Sequence, residues 1–340
     1  MLRLLKNCAL ETARTLGLFS IVAHSRWRQQ RLLILCYHGI SLKDEHEWNG
    51  LYITPAFFRK RMETLARLRY RVLPLDAALR ALREGSLPPK AVSITFDDGF
   101  HDFHRLGFPI LREFGFPAAV YQTTYYCDHP FPLFNLVLSY LFWCGRDRRL
   151  DGAAYGVPGI FDLSREQVRR GAVDAFRDFG RRQRLSPAQK DALAARVAAE
   201  LGVDYDEILR LRMLQLMNAG QISEIAAAGI DVQLHTHRHR SPLDEEAFIR
   251  EIRDNRQWLS ARTVAQLIHF CYPSGLYRTE FPPWLRAEQV VSATTCERGI
   301  ADRWRDPLLL PRLLDSTVVT DVDFEAWLAG VSAFLPHRRA

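Results

Sequence analysis

Two adjacent carboxylates, Asp97 and Asp98, end the run Ser93-Ile94-Thr95-Phe96 and are followed at once by Gly99. Like charges beside a low-dielectric core repel each other, and a bound cation is the usual remedy. A solvated Asp-Asp-Gly turn has the same letters, so this segment alone leaves both explanations open. A second segment, Leu234-His235-Thr236-His237-Arg238-His239, also follows an apolar strand. His235 and His239 are four residues apart, so one helical turn would bring both imidazoles to one side. Only 11 of the 340 residues are histidine, and three within five positions weigh against a loop that is His-rich by chance. Two neutral imidazoles with one carboxylate form a common catalytic zinc shell that leaves a position open for water. His237, between the pair, is expected to face solvent or to support a ligand. A third segment, Phe270-Cys271-Tyr272-Pro273-Ser274-Gly275, sets Pro and Gly in a rigid turn. Its backbone N–H groups are candidate donors to a developing oxyanion, although such turns are common.

The elements that must position these residues alternate. Apolar strands are expected at Leu32 to Tyr37, Arg71 to Leu73, Ala91 to Phe96, Ala118 to Gln122, Ile230 to Leu234, Leu267 to Tyr272, Val290 to Thr294 and Leu308 to Leu313. Helices lie between them. One is opened by Thr54-Pro55, with Thr as N-cap and Pro in the first turn. Others cover Leu75 to Arg83, Phe103 to Phe114, Asn218 to Ala228, Leu243 to Leu259 and Asp321 to Phe334. Such alternation argues for a parallel sheet with helices outside, open or closed into a barrel. From about Asp128 to Met217 only helix signals occur, and the stretch reads as an insertion. Ser164 with Gln167 predicts a capping box for a helix closing at Gly180, and Ser186-Pro187 opens another that ends at Gly202.

With 48% hydrophobic and 25% charged residues, the chain has the proportions of an ordinary globular protein. Its net charge of +7 is spread along the sequence without a basic stripe, so nucleic acid is not an expected partner. The apolar residues of Met1 to Ser20, among them Leu2, Leu5, Cys8, Ala9, Leu16 and Phe19, recur at helical spacing and are interrupted by Lys6, Asn7, Glu11 and Arg14. That predicts an amphipathic helix and not a signal peptide. The helix would dock on the body or rest weakly on a membrane surface, with Arg26, Arg28 and Arg31 nearby. Six dispersed cysteines without a CxxC pair, together with that N-terminus, point to a reduced, cytoplasmic setting.

Together the motifs resemble those of the polysaccharide deacetylase family, the NodB-homology carbohydrate esterases. Thr95-Phe96-Asp97-Asp98-Gly99 matches the first motif, His235-Thr236-x-x-His239 the second, and Tyr272-Pro273-Ser274-Gly275 looks like the third. Tyr37-His38-Gly39, Phe108-Pro109-Ile110-Leu111 and Leu310-Pro311-Arg312 are similar as well. The resemblance covers roughly Arg31 to Asp128 and Met217 to Thr320. It implies an α/β fold, a distorted (β/α)7 barrel, carrying here a helical insertion at about 128–217. The catalytic domain would span 31–320, between an N-terminal helix over 1–30 and a C-terminal helix and tail over 321–340. The implied reaction is metal-dependent hydrolysis of N-acetyl groups on a sugar or exopolysaccharide, with Asp98, His235 and His239 holding a divalent ion, most simply Zn2+. Asp97 would be the general base, and Ser274, Tyr272 and Gly275 would line the substrate and oxyanion side. Two other outcomes stay open: an amide hydrolase acting on a non-sugar substrate, and a silent carbohydrate-binding relative.

The departures from the family pattern generate two further expectations. Cys271 stands where relatives often place the Arg that pairs with the base, so Arg312 is a candidate replacement, with a surface ion pair as the competing role. No histidine follows the last strand except His337, in the Leu335-Pro336-His337 tail, so the usual place of the general acid is empty. Leu35-Cys36-Tyr37-His38 carries the missing Leu-then-His pattern offset by one residue. The order resembles a circular permutation, which would make His38 the acid. Tyr125, Tyr126 and Trp143 are candidates for stacking on sugar rings where the insertion shapes access, with core packing the favoured role for Trp143.

Overall fold

Seven parallel strands close into a ring in the computed structural model, which describes residues 2–335. They are β1 (Arg31–Tyr37), β2 (Ala91–Phe96), β3 (Ala119–Gln122), β4 (Asp231–Leu234), β5 (His269–Cys271), β6 (Ser292–Arg298) and β7 (Leu310–Leu314). Each strand pairs with its neighbours in sequence, and β1 closes the ring by pairing with both β2 and β7. A register shift between Thr294 and Arg298 distorts the β6–β7 seam. Because all seven strands are parallel, the segments after them emerge at one end. Those segments contain His38, the Asp97-Asp98 pair, the His235–His239 loop and the Pro273–Gly275 turn.

Period-two alternation fills the barrel. On β1, Leu33, Leu35 and Tyr37 pack outward against the helices, while Leu32 and Ile34 join Ala119, Tyr121, Cys271 and Leu310 in a separate buried cluster; Cys36, also buried, continues their row. On β2, Val92, Ile94 and Phe96 belong to the outer core and leave the small polar Ser93 and Thr95 on the other face. His38 and Asp97 continue these two inward rows.

The insertion has its own core, including Leu138, Leu141, Phe142, Phe176, Ala194 and Val197. It is not purely helical: Arg149–Asp151 and Ile160–Asp162 form an antiparallel hairpin. The expected capping box at Ser164 does not form, because its hydroxyl and amide bond Asp162 and the helix starts at Glu166. That helix runs past Gly180 to Arg182. The box at Ser186 forms with Gln189, and Gly202 closes that helix in the left-handed conformation. The expected helix over Phe103 to Phe114 begins as a π-helical turn, Phe103–Gly107, before turning α-helical. The C-terminal helix stops at Ala329, where Gly330 has φ 92°, and a 3-10 turn comes next. His337 lies outside the described residues.

The N-terminal segment begins with two helices, Leu2–Thr15 and Leu18–Ala23, broken at Gly17 with φ 78°, and a short third, Arg26–Gln29, leads into β1. Leu10, Phe19 and Ala23 pack on Val322, Ala326 and Ala329 of the C-terminal helix. Lys6 pairs with Asp323 at 3.0 Å. No helix among the described residues is long and apolar enough to cross a membrane, and all six cysteines are free thiols.

Arg28 joins these terminal elements to the barrel end opposite the motifs. Fully buried, it donates from Nε to the Leu328 carbonyl at 2.8 Å, from Nη1 to Arg31 at 2.7 Å and from Nη2 to Ala91 at 3.3 Å. Arg31 and Ala91 start β1 and β2, so one guanidinium satisfies carbonyls that would otherwise be stranded. Arg28→Ala is expected to lower unfolding free energy by about 3 kcal/mol, since charged hydrogen bonds are lost and buried acceptors are left unpaired. The denaturant midpoint checks this; an unchanged midpoint would mean that water replaces the guanidinium without cost.

Candidate metal and acid–base site

Asp97 and Arg312 form the floor of the site. Arg312, on β7, is 1% exposed and meets both carboxylate oxygens of Asp97, Nη1 to Oδ1 and Nη2 to Oδ2, each at 2.7 Å. Its remaining donors go to Thr95 Oγ1 at 3.1 Å, the Thr295 carbonyl at 3.0 Å and Cys271 Sγ at 3.1 Å. Burial pushes the Asp97 carboxyl up, but the Arg312 charge and its paired hydrogen bonds outweigh that and hold it well below the usual carboxylate range. His38 Nε2 lies 3.7 Å from Asp97 Oδ2. Burial draws the His38 imidazole below its ordinary value, against the pull of the Asp97 and Asp98 charges.

Asp98 turns the other way. Its φ of 69° and that of 80° at Gly99 swing the chain out of β2. A Cβ at Gly99 would lie 2.0 Å from Gln122 Oε1, so glycine is required there. Asp98 Oδ1 sits 3.2 Å from His235 Nε2 and 3.1 Å from His239 Nε2. Tetrahedral coordination at about 2.0–2.2 Å puts ligand atoms roughly 3.3 Å apart, so each imidazole stands from Asp98 as a co-ligand would, and all three donors lie within 4.8 Å of one another. His235 Nδ1 meets the Cys271 carbonyl at 2.8 Å, which orients its ring as ligating histidines require. Burial opposes the charged form of His235, yet its hydrogen bond to Asp98 and the two carboxylate charges raise it above its ordinary value. The negative potential that favours a proton there also favours a cation.

The His235–His239 loop is strained and gripped. Ten non-glycine residues among those described have positive φ, and four of them are Asp98, Thr236, His239 and Ser274. Such backbone persists only where its surroundings over-determine it. Here the helix Glu245–Ser260 does so from its buried face. Asn255 accepts from the His235 amide at 2.9 Å and donates to the Gln122 carbonyl and Thr124 Oγ1. Buried Glu251 takes the Arg238 amide at 2.7 Å and the Arg238 and Arg240 guanidinium groups. His237 is held by Thr124 Oγ1 at 2.8 Å. Glu251 and Asn255 are absent from the residues singled out in the sequence; their one local mark is that they share the buried stripe of Phe248, Ile252 and Leu259, which does not say what they reach.

The third segment contributes unevenly. Tyr272 is buried and donates its hydroxyl to the Leu308 carbonyl at 3.0 Å, so its side chain belongs to the core and does not face the substrate side. Gly275 has φ 66° where a Cβ would strike Cys296 at 2.6 Å, and its amide bonds the Tyr272 carbonyl. Ser274 and His239 line one groove of about 580 Å3 with Leu276 and Tyr277. Asp98 and His239 line a second groove, of about 480 Å3, with Tyr125, Tyr126 and the insertion residues Phe131 and Lys190. The insertion therefore borders the motif end of the barrel. Trp143 packs beside the insertion core, stacked on Tyr140.

Arg312→Met is expected to move the Asp97 carboxyl above its unfolded value of about 3.9, because burial then acts without the opposing charge. In the parent chain the depressed carboxyl stabilises the fold above that pH, and the contribution is lost on acidification. In the variant the sign reverses, and stability declines as pH rises through the new, higher value. Carbon NMR of the Asp97 carboxyl reads this directly, and a signal still titrating far below 3.9 would assign the field to other groups.

Comparison with known proteins points to the same residues. The polysaccharide deacetylase family profile matches residues 207–289, which hold the second and third motifs. The poly-beta-1,6-N-acetyl-D-glucosamine N-deacetylase of Escherichia coli (strain K12) is 27% identical over 112 residues, 33% of this chain and 16% of that protein. The curated relatives are thus matched over about a third of their own length or less. The Streptococcus pyogenes deacetylase PplD covers 90% of this chain and 99% of its own, with TM-score 0.58 and 18% identity. IcaB from Ammonifex degensii covers 88% and 97%, with TM-score 0.53 and 17% identity. These two structures share the (β/α)7 barrel. Residues 207–289 thus match the polysaccharide deacetylase family over its second motif, and Asp98 of the first motif completes the same donor group in space.

Proposed function

We propose that the chain is a metal-dependent hydrolase that removes N-acetyl groups from an N-acetylated polysaccharide and releases acetate. The observation that carries this reading is the division of labour between adjacent carboxylates. Asp97 is locked to Arg312, and Asp98 lies between two imidazoles. Asp98, His235 and His239 would hold the divalent ion, and their mixed oxygen and nitrogen donors suit zinc. Such an ion acidifies a water and polarises an acyl oxygen. The poly-beta-1,6-N-acetyl-D-glucosamine for which the Escherichia coli relative is named and the two grooves meeting at His239 support a carbohydrate polymer as the substrate.

Asp97 orients the attacking water and takes its proton, with Arg312 fixing the carboxylate plane. The Gly275 and Leu276 amides are bonded within their turn, so the Ser274 N–H is the donor left for the acyl oxygen. His38 delivers a proton to the departing amine, which is a very poor leaving group without one. Its position 3.7 Å from Asp97 also supports a second reading, in which His38 serves both turns. Arg312 makes Asp97 a weak base, so the imidazole is the better proton acceptor and Asp97 would orient it.

Purified protein is expected to hold one divalent ion and to release acetate from N-acetylated glycans, but not to open cyclic amides. His239→Ala should lower metal content and activity together; full metal occupancy in that variant removes His239 from the shell. His38→Ala should cut turnover by about 10²–10⁴-fold with metal retained. Near-normal turnover in that variant sinks both roles for His38. Asp97→Asn separates them, since residual activity that still titrates with a single imidazole supports the dual role.

A further inference from the structure

The two grooves that meet at His239 have walls of one sign. Arg240 and Arg278 line the groove on the Ser274 side, and Arg177, Lys190 and Arg238 line the groove beside the insertion. Among the described residues, the one acid on either wall besides Asp98 is Asp191, whose carboxylate takes the Tyr205 hydroxyl at 2.6 Å. Three of the five cations are tied to acids outside the grooves: Arg177 to Asp174 at 3.0 Å, and Arg238 and Arg240 to buried Glu251 at 3.1 and 2.6 Å. Exposed Arg278 and half-buried Lys190 pair with no carboxylate among the described residues. We propose that the substrate is an acidic polysaccharide, whose units on either side of the reacting N-acetyl sugar carry carboxylate or phosphodiester groups that Arg278 and Lys190 bind.

A half-buried ammonium without a counter-charge loses hydration and gains nothing in exchange, so an anion brought by the substrate completes it. A guanidinium offers a planar fork to carboxylate or phosphate oxygens, and an ammonium offers a point charge. Arg240 bonds Glu251 through Nε, which leaves its terminal N–H groups for the groove beside Arg278. The two unpaired cations stand in different grooves, so the charges they read belong to units on opposite sides of the acetamide. The product fits as well. Hydrolysis turns a neutral acetamide into an amine that takes up a proton, and repulsion between that new charge and the cationic walls favours release. This inference deepens the proposed function and rests on it for the chemical step, whereas binding of the acidic chain does not.

The test uses the full chain and calorimetry at low ionic strength. The probes are a hyaluronan oligosaccharide, an N-acetylglucosamine 1-phosphate polymer and a chitin oligosaccharide of matched length, with acetate release measured separately on each. An acidic chain is expected to bind about tenfold more tightly than the neutral one, as two exposed ion pairs allow. The difference should collapse near 1 M salt, where the Debye length is about 3 Å. Whichever acidic chain binds better distinguishes carboxylate from phosphodiester. Arg278→Gln and Lys190→Gln should each lower the acidic-over-neutral ratio by about threefold. Arg26→Gln removes an exposed cation at the opposite end of the barrel and controls for the net charge of +7; it should leave the ratio unchanged. Equal binding of acidic and neutral chains overturns the proposal, as does a ratio that falls as far in Arg26→Gln as in the groove variants. Acidic chains that bind but release no acetate support the acidic grooves and count against the proposed reaction instead.

Discussion

Arg312 has five N–H donors, and the interior of the barrel supplies five acceptors: both Asp97 oxygens, Thr95 Oγ1, the Thr295 carbonyl and Cys271 Sγ. That complete satisfaction is the constraint on which the site depends. A buried ion pair loses the hydration of both charges, and the mutual attraction offsets the loss only when geometry and remaining hydrogen bonds are good. The acceptors come from β2, the segment after it, β5 and β6, while Arg312 itself is on β7. Small interior residues such as Ser93, Thr95 and Ala119 leave room for it. A leucine at position 95 would remove an acceptor and fill the space the guanidinium occupies. The barrel must therefore close around one side chain, and the carboxylate it fixes is the one beside the paired histidines.

Much of this was legible in the sequence because strand alternation carries it. Leu32, Ile34, Cys36 and His38 form one row, and Ser93, Thr95 and Asp97 another, so a period of two is enough to point His38 and Asp97 inward. The His235–His239 spacing was readable for the same kind of reason, although the loop achieves it with positive φ at Thr236 and His239 and not with a helical turn. The tertiary support could not be read. Glu251 and Asn255 lie on a helix whose apolar positions explain its packing well enough, and nothing local says that two polar members of that stripe reach the preceding loop. Nothing in the sequence links Cys36 to Cys271, and only the closed barrel brings both against one carboxylate.

The strained positions explain why the support is so extensive. Positive φ at a non-glycine residue costs of order 1 kcal/mol or more, and Asp98, Thr236, His239 and Ser274 all carry it. Two of them are visibly held by bonds that a relaxed loop would forfeit: the Asp98 carbonyl by Gln122 and the Thr123 amide, and Thr236 through its hydroxyl to the Arg240 amide. The insertion adds to this. Met217 bonds the Gly99 carbonyl, and Leu216 bridges Phe100, so the end of the insertion clamps the loop after Asp98. Its own core lets it act as a rigid wall beside the site.

Chain order matters less to such a site than ring order. β1 lies between β7 and β2, so a side chain at its end projects over the same mouth as one from the end of β7. The residue directly after β7 is Asp315, and it is committed elsewhere. Its amide bonds the Cys36 carbonyl, while its buried carboxylate accepts from the Tyr37 hydroxyl and the Arg61 guanidinium, each at 2.9 Å. The end of the last strand thus pins the end of the first through groups that flank His38. A histidine placed after β7 would have to give up that clamp. With the clamp kept, the first strand is free to carry the imidazole, and the position nearest Asp97 falls to His38.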